Sequence, residues 1–494
     1  MVVSLLLAVP ALAALWLLTV GRSMSLAAAR LTALASAVVT LAVAVGVVVA
    51  RPAVDLAWVP ELGVRWSLGV DGISVPLVLL TALVGVLVTA HAWAEMPAGG
   101  SPATFLGCLL LVETGALATF TARDAILFFI AFEIVLVPIW VLISRFGDAH
   151  DLRARKNAAQ RFVLFTAAGS TLMLVGILVL VASAGTSDLR ALAAGAAASV
   201  TPERQVLVAA LLVSGLAVKV PVFPLHTWLP PAHTIAPTGG SVLLAAVLLK
   251  MGTYGLVRLP VMTTPDGFAV VSPVLAVLGV VGIVWGALVC LVERDLKRLI
   301  AYSSVAHMGF VVLALATGSR TGLQAALFAN IAHGLVAALL FVIVGGLKVR
   351  WGNVDLAIAR PALRETSPRL GFLMILGLAA SLGLPGLVGF WGEFFSVYAA
   401  WSPAQDRSRT LFVTLAVVAA VGAALSSGYA LRVARVIWVG DRPEPGAAVV
   451  TPDTVGVERW VLGTLALLVV GLGVAPGPLL SVTADAVAQI AGGR

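Results

Sequence analysis

The stretch KVPVFPLHTWLPPAHTIAPTGGSVLLAAVLLK, residues 219–250, decides how the chain is read. Both of its terminal lysines, Lys219 and Lys250, adjoin long apolar runs that a bilayer would enclose. An ammonium near the middle of a membrane costs at least about 2.5 kcal/mol on insertion scales. The prolines between the lysines remove backbone hydrogen bonds and clash with the preceding turn of any helix. A membrane tolerates that combination only where protein covers the broken backbone or where it lines a watery cavity. The stretch therefore predicts a discontinuous helix in the working part of an ion path.

Composition sets the surroundings of that stretch. Of 494 residues, 61% are hydrophobic and 11% are charged, and the mean hydropathy is +1.08. A soluble protein would carry roughly 25% charged residues. The composition is that of an all-α, polytopic membrane protein with little left over for a soluble domain. The formal charge of +8 does not point to nucleic acid, because the basic residues fall in short loops between apolar runs, as the positive-inside rule explains. Cys108 and Cys290 stand singly in apolar segments, with no CxxC or Cys/His cluster, so they read as structural thiols and not as a metal or disulfide site. No iron–sulfur, haem or flavin motif appears. The start, MVVSLLLAVPALAALWLLTVGR, lacks a basic n-region and reads as a first span instead of a cleaved signal.

A span needs about 20 apolar residues. On that measure the chain predicts fourteen segments, near 2–19, 26–50, 73–93, 101–120, 122–144, 157–184, 203–221, 236–259, 269–292, 296–317, 320–348, 368–401, 408–439 and 455–482. With an even number, both termini lie on one side. The loops after odd-numbered segments hold 19 of the 31 Lys and Arg, against 10 on the opposite face, with Lys219 and Lys250 set aside. The richer face is expected to be cytoplasmic, so both termini are expected to point outward. The seventh segment is interrupted at Lys219-Val-Pro221 and Pro224, the twelfth at SLGLPGLVGFWGEFF. Residues 1–100 would carry helices one to three, 101–259 a first five-helix unit, 269–439 a second, and 440–494 a loop and the fourteenth helix. Each break then falls in the fourth member of its unit, and the two units are inverted because five is odd. Interrupted segments at matching places in inverted halves point to a transport site. No residue-by-residue repeat links the halves, so the symmetry rests on spacing.

The ionisable residues within these spans are the candidate site. Glu133 stands in ILFFIAFEIVLVPIW as a partner for Lys219, the competing account being a structural ion pair that fixes helix packing. Lys219 closes the first half of the seventh segment, where snorkelling to the interface is the alternative. Lys250 lies mid-span, where snorkelling is harder, with Thr253 and Tyr254 as nearby hydroxyls. Glu393 follows the second break, where a helix N-terminal charge role competes. His307 in AYSSVAHMGF and His333 in ANIAHGLVAALL suit a proton relay, since histidine titrates near neutral pH. Lone packing histidines are the alternative. His226 and His233 fall in the Pro-rich turn, as relay or loop residues, while Ser303, Ser304 and Asn330 read as helix-packing polar groups. This series suits protons better than sodium or potassium, which want several oxygen ligands. The lysines would repel a simple cation.

At KVPVFPLHTWLPPAHTIAPTGGSVLLAAVLLKMGTYGLVR, AYSSVAHMGF and PGLVGFWGEFF the chain resembles the antiporter-like membrane subunits of respiratory complex I, over roughly residues 60–440. Mrp-type antiporters and membrane-bound hydrogenases share that family. A glutamate at 393, and a chain that stops shortly after its fourteenth segment, resemble subunit M, the counterpart of mitochondrial subunit four. The resemblance implies fourteen helices with two inverted five-helix repeats. It implies that Glu133, Lys219, Lys250 and Glu393 relay protons, with His307 and His333 on the same hydrophilic axis. It implies NADH, FMN, iron–sulfur clusters and quinone in partner subunits, none on this chain. The partners it implies are other complex I membrane subunits, among them antiporter-like neighbours, with lipid, protons and water, in a bacterial inner membrane. The loop GDRPEPGAAVVTP and the N-terminal helices match nothing specific. Two rival functions remain: a sodium/proton antiporter or membrane-bound hydrogenase subunit, or a structural anchor between pumping subunits.

Overall fold

The computed structural model describes residues 2–148, 151–195, 200–440 and 452–492. Most of the expected loop at 440–455 lies outside them. The chain folds into long helices that correspond to the predicted segments. They are α1 (Val2–Thr19), α2 (Leu26–Ala50), α3 (Ser74–His91), α4 (Pro102–Thr121), α5 (Ala125–Phe146), α6 (Leu152–Ala184) and α7 (Pro202–Lys219). There follow α8 (Thr238–Val261), α9 (Pro265–Val292), α10 (Leu296–Ala316), α11 (Arg320–Trp351), the two halves of α12 (Pro368–Ser381 and Val388–Trp401), α13 (Arg409–Val439) and α14 (Gly456–Val474). A last helix, α15 (Gly477–Gly492), completes the described residues.

Among the described residues, twelve helices are long and apolar enough to cross a membrane. The two expected spans outside that set are α7, which carries Glu203, Arg204 and Lys219, and α12, whose halves are 14 residues each. The protein is an integral membrane protein. Beyond shifts of a few residues at helix ends, three features differ from expectation. The fourteenth segment, expected to run to 482, stops at Val474, and α15 begins after Pro476, because proline cannot continue the ladder. The Pro-rich turn is partly ordered as a short helix, Leu229–Ile235, with its prolines in the first turn, where a missing N–H is harmless. Between α2 and α3 the chain forms an antiparallel hairpin, β1 (Val54–Val59) and β2 (Val64–Leu68), which no periodicity announced.

The loops sort onto two faces. On one, Lys348 in the last turn of α11 pairs with Asp148 after α5, Lys297 of α10 donates to Ala236 O before α8 at 2.8 Å, and Arg350 pairs with Glu458. On the other, Arg258 near the end of α8 bonds Asp71 at 2.5 Å. There too Ser187 after α6 bonds Asp124 before α5 at 2.5 Å, and Gln324 of α11 donates to Thr483 of α15 at 2.6 Å. Both sets follow the alternation of the predicted segments.

α11 sits at the centre, buried along its whole apolar window, whereas α1 and α2 turn much of their surface outward. Close crossings rest on small residues. At the α6–α7 crossing, a Cβ on Gly215 would lie 2.5 Å from Gly169 O. Gly215→Val is expected to destabilise this crossing by about 1–3 kcal/mol, as overpacking does. Thermal melting of the purified protein checks it. An unchanged midpoint would show that the two helices can part freely.

Candidate functional site

Both predicted breaks are present; protein covers Lys219–Val222 at the first, whereas Leu384, Pro385 and Gly386 at the second are exposed. α7 ends at Lys219, whose successor Val220 still donates to Leu216 O at 2.9 Å. The chain then reverses, and the Trp228 indole donates to Val218 O at 2.9 Å, satisfying a carbonyl that the broken helix leaves open. In α12, Gly383 and Gly386 adopt φ of +66° and +87°, a conformation that a side chain would strain. A Cβ on Gly383 would come within 2.8 Å of Glu393 Oε2, so the carboxylate lies directly against the gap between the half-helices.

From the second lysine to Glu393 the predicted residues form one line. Lys250 has no exposed surface. Its Nζ donates to Ala245 O at 2.6 Å and meets His333 Nδ1 at 2.5 Å. The turn before it is a wide π turn, Leu244–Leu248, a distortion that recurs at functional sites. An ammonium has no lone pair, so a charged Lys250 requires Nδ1 of His333 to accept, which puts the imidazole proton on Nε2. That nitrogen is buried without a hydrogen-bond partner among the described residues. The His333 and His307 rings stand 5.5 Å apart, centroid to centroid. Between α10, α11 and α12, a cavity of about 20 Å³ is lined by both histidines, Ser381 and Glu393. One water needs about 15 Å³. His307 is held at both nitrogens, Nε2 by Ser381 Oγ at 2.9 Å and Nδ1 by Glu393 Oε1 at 2.8 Å. The arrangement can pass a proton between Lys250 and Glu393 with a single water in the middle.

The other end is less closed. Lys219 is buried, and its Nζ lies over the Phe132 ring, 4.8 Å from the centroid. Among the described residues it makes no ion pair within 4 Å, although Glu133 is near enough to attract it. Glu133 is half-buried on the outer flank of α5, two residues before the helix is broken at Val135, where Pro138 withholds its amide from the ladder. The expected pair is thus poised and not formed. α7 and α8 pack closely here, since a Cβ on Gly252 would meet Lys219 Cβ at 3.1 Å.

Other expected groups lie apart from this line. His226 is buried between Phe223 and Tyr302, its Nδ1 unpartnered and with no hydrogen bond to the other candidates. Thr253 and Tyr254 do not serve the Lys250 ammonium. Thr253 bonds Lys250 O and Asn330, and Tyr254 donates to Phe120 O. Ser303 and Ser304 bond back to Ile300 O as packing groups do. One acid was missed. Glu113 of α4 has no exposed surface, neither oxygen has a hydrogen-bond partner among the described residues, and it presses on Gly85 of α3. A buried, unpaired carboxyl is costly and calls for a use. Its setting, LGCLLLVETGALATF, carries the same signal that singled out Glu133.

Comparisons with known proteins bear on this geometry. A family model described as NADH:quinone oxidoreductase/Mrp antiporter, TM, matches residues 122–421. A NAD(P)H-quinone oxidoreductase chain 4 from Nostoc sp. is 38% identical over 431 residues, covering 87% of this chain and 78% of its own. One from Synechococcus sp. is 40% identical over 424 residues, covering 85% and 78%. A chain of respiratory complex I from Thermus thermophilus superposes with a TM-score of 0.85 at 29% identity, covering 99% of this chain and 100% of that one. A chain of the Mrp complex from Dietzia sp. shares the fold, with a TM-score of 0.87 at 24% identity, over 99% of this chain and 52% of its own.

Proposed function

The chain belongs to the NADH:quinone oxidoreductase/Mrp antiporter transmembrane family, and from that membership we propose that it is a proton-translocating, antiporter-like membrane subunit of a complex I-type quinone oxidoreductase, a translocase with no redox chemistry of its own. The observation that carries the reading is the line Lys250–His333–His307–Glu393, with contacts of 2.5 and 2.8 Å at its ends. The identity to chain 4 relatives favours this over a sodium/proton antiporter or hydrogenase subunit, because the Mrp likeness extends to the fold alone.

The mechanism is electrostatic. Glu133 moves toward or away from Lys219, which lies free of any ion pair over Phe132. That movement changes how strongly Lys219 holds its proton. Lys219 stands where α7 packs closely against α8, the helix that carries Lys250. When Lys250 gives up its proton, His333 takes it at Nδ1 and releases another from Nε2 into the cavity, from which the Ser381 hydroxyl passes a proton to His307 Nε2. His307 hands it on to Glu393, beside the break in α12. Redox chemistry in partner subunits, where NADH, FMN, iron–sulfur clusters and quinone would reside, supplies the driving force.

The same reading includes fourteen spans and two inverted five-helix units, 101–259 and 269–439, supported by the breaks in α7 and α12. The face that carries Asp148, Lys297 and Lys348 is cytoplasmic and both termini point outward, supported by the surplus of Lys and Arg there. The membrane is a bacterial cell membrane, and the neighbours are other membrane subunits, antiporter-like ones among them. Lys219→Ala tests the function. The complex is expected to assemble, as judged by native gel, and to lose pumping coupled to quinone reduction in inverted membrane vesicles. Full pumping by the assembled variant would remove the assignment.

A further inference from the structure

We infer that Glu95 and Lys297, steadied by His91 and Thr238, form the inlet that loads the buried axis with protons and passes them through His233 to Lys250. The inference rests on the proton-translocating reading above and adds residues that it does not use.

Glu95 lies in the turn after α3, and its side chain is 25% exposed, so water reaches it. Its carboxylate is held on two sides. Thr238 Oγ1, at the first turn of α8, lies 3.1 and 3.0 Å from the two oxygens, and His91 Nε2 lies 3.2 Å from Oε2. Burial alone would push this carboxyl up, but the His91 hydrogen bond and the charges of His91 and Lys297 bring it below the usual carboxylate range. An acid so held stays ionised and gives up quickly any proton it takes from water.

Lys297 is buried at the start of α10, 3% exposed, with Nζ donating to Ala236 O at 2.8 Å. Glu95, Asp295, Asp148 and Lys348 all act on it electrostatically. These groups make a charged rim on the face where loops after α3, α5, α9 and α11 converge.

His233 supplies the independent observation. It sits in the short helix Leu229–Ile235 with no exposed surface, and among the described residues neither ring nitrogen has a hydrogen-bond partner. Its ring lies flat on Phe341, 4.5 Å between centroids and 13° between planes. A ring used only for packing there would serve better as phenylalanine, because an imidazole buried with two unpaired nitrogens costs free energy. Lys297 and Lys250 both act on this ring, and so does His333. His233 therefore feels the charge of the rim and of the axis together.

The transfer balances at each step. Once Lys297 has passed its own proton inward and stands as a neutral amine, a proton from water adds to the Glu95 carboxylate and moves to that amine, restoring the carboxylate and the Lys297 charge. Lys297 protonates one nitrogen of His233, and the other nitrogen releases its proton to the Lys250 amine. Glu95 and Lys297 end as they began, while His233 ends in its other tautomer and must turn its ring before it passes a second proton.

The rival account is a clasp, in which Glu95 only ties the loop after α3 to α8. Two variants separate the accounts in complex assembled in inverted membrane vesicles, with pumping measured per quinone reduced. Glu95→Gln keeps hydrogen bonds to Thr238 and His91 but cannot carry the proton, and His233→Phe keeps the stack on Phe341. Both are expected to assemble at wild-type levels and to pump at least threefold less. Wild-type pumping by both overturns the inlet. If either variant fails to assemble, the other decides. If neither assembles, the cluster is a clasp and the inlet falls. Lys250→Met in the same vesicles tells the two inferences apart. Lost pumping there beside intact Glu95→Gln and His233→Phe refutes only the inlet, whereas intact pumping in Lys250→Met refutes the function itself.

Discussion

Lys250→Met is expected to assemble normally and to lose quinone-coupled proton pumping at least tenfold. Methionine has nearly the length of lysine and no charge, so it fills the same space in α8. Two effects on stability oppose each other. The substitution leaves His333 Nδ1 and Ala245 O without the Lys250 donor, at about 1–3 kcal/mol for each group stranded. It also relieves the chain of a fully buried ammonium, worth about 2.5 kcal/mol or more. The sum is within a few kcal/mol of zero, so loss of pumping can be read as loss of the relay and not of the fold. A native gel and a vesicle pumping assay on the same preparation are the measurement. Wild-type pumping would mean that protons pass from α7 to α11 without this residue.

Glu393→Gln is expected to cost at least fivefold in pumping, with part of it returning in Glu393→Asp. Glutamine keeps an acceptor for His307 Nδ1 and keeps its place beside the α12 break, where Gly383 comes within van der Waals reach. What it loses is the ability to take the proton that His307 delivers. His307 cannot turn to another acceptor on that side, because Ser381 occupies its other nitrogen. Aspartate restores the acid on a shorter arm, so the rate should recover partially and not fully. Equal pumping by glutamine and glutamate would show that Glu393 only positions His307.

The breaks in α7 and α12 were legible because proline and glycine act through the backbone, and their effect does not depend on neighbours. The lysines and Glu393 were legible because a charge in an apolar run is costly wherever the helix faces. The partnerships were not. Lys250 and His333 are 83 residues apart, and α11 is buried on every side, so no apolar stripe tells which face His333 presents. Glu133 and Lys219 were expected as a pair from their burial. The position of Lys219 over Phe132 depends on how α5 bends at Val135, which a list of apolar residues does not encode. Glu113 was within reach of the same reasoning that found Glu133. The π turn before Lys250 and the hairpin between α2 and α3 were not, since both arise from tertiary packing.

The cavity between His333 and His307 has room for about one water. A pathway wired throughout by side chains would let protons run back down their gradient whenever the motor paused. A gap of single-molecule size makes backflow conditional on one hydration event. Bringing α10, α11 and α12 together by a fraction of an ångström would squeeze that water out and shut the line. The leak is then governed by a small change in volume instead of a large change in affinity.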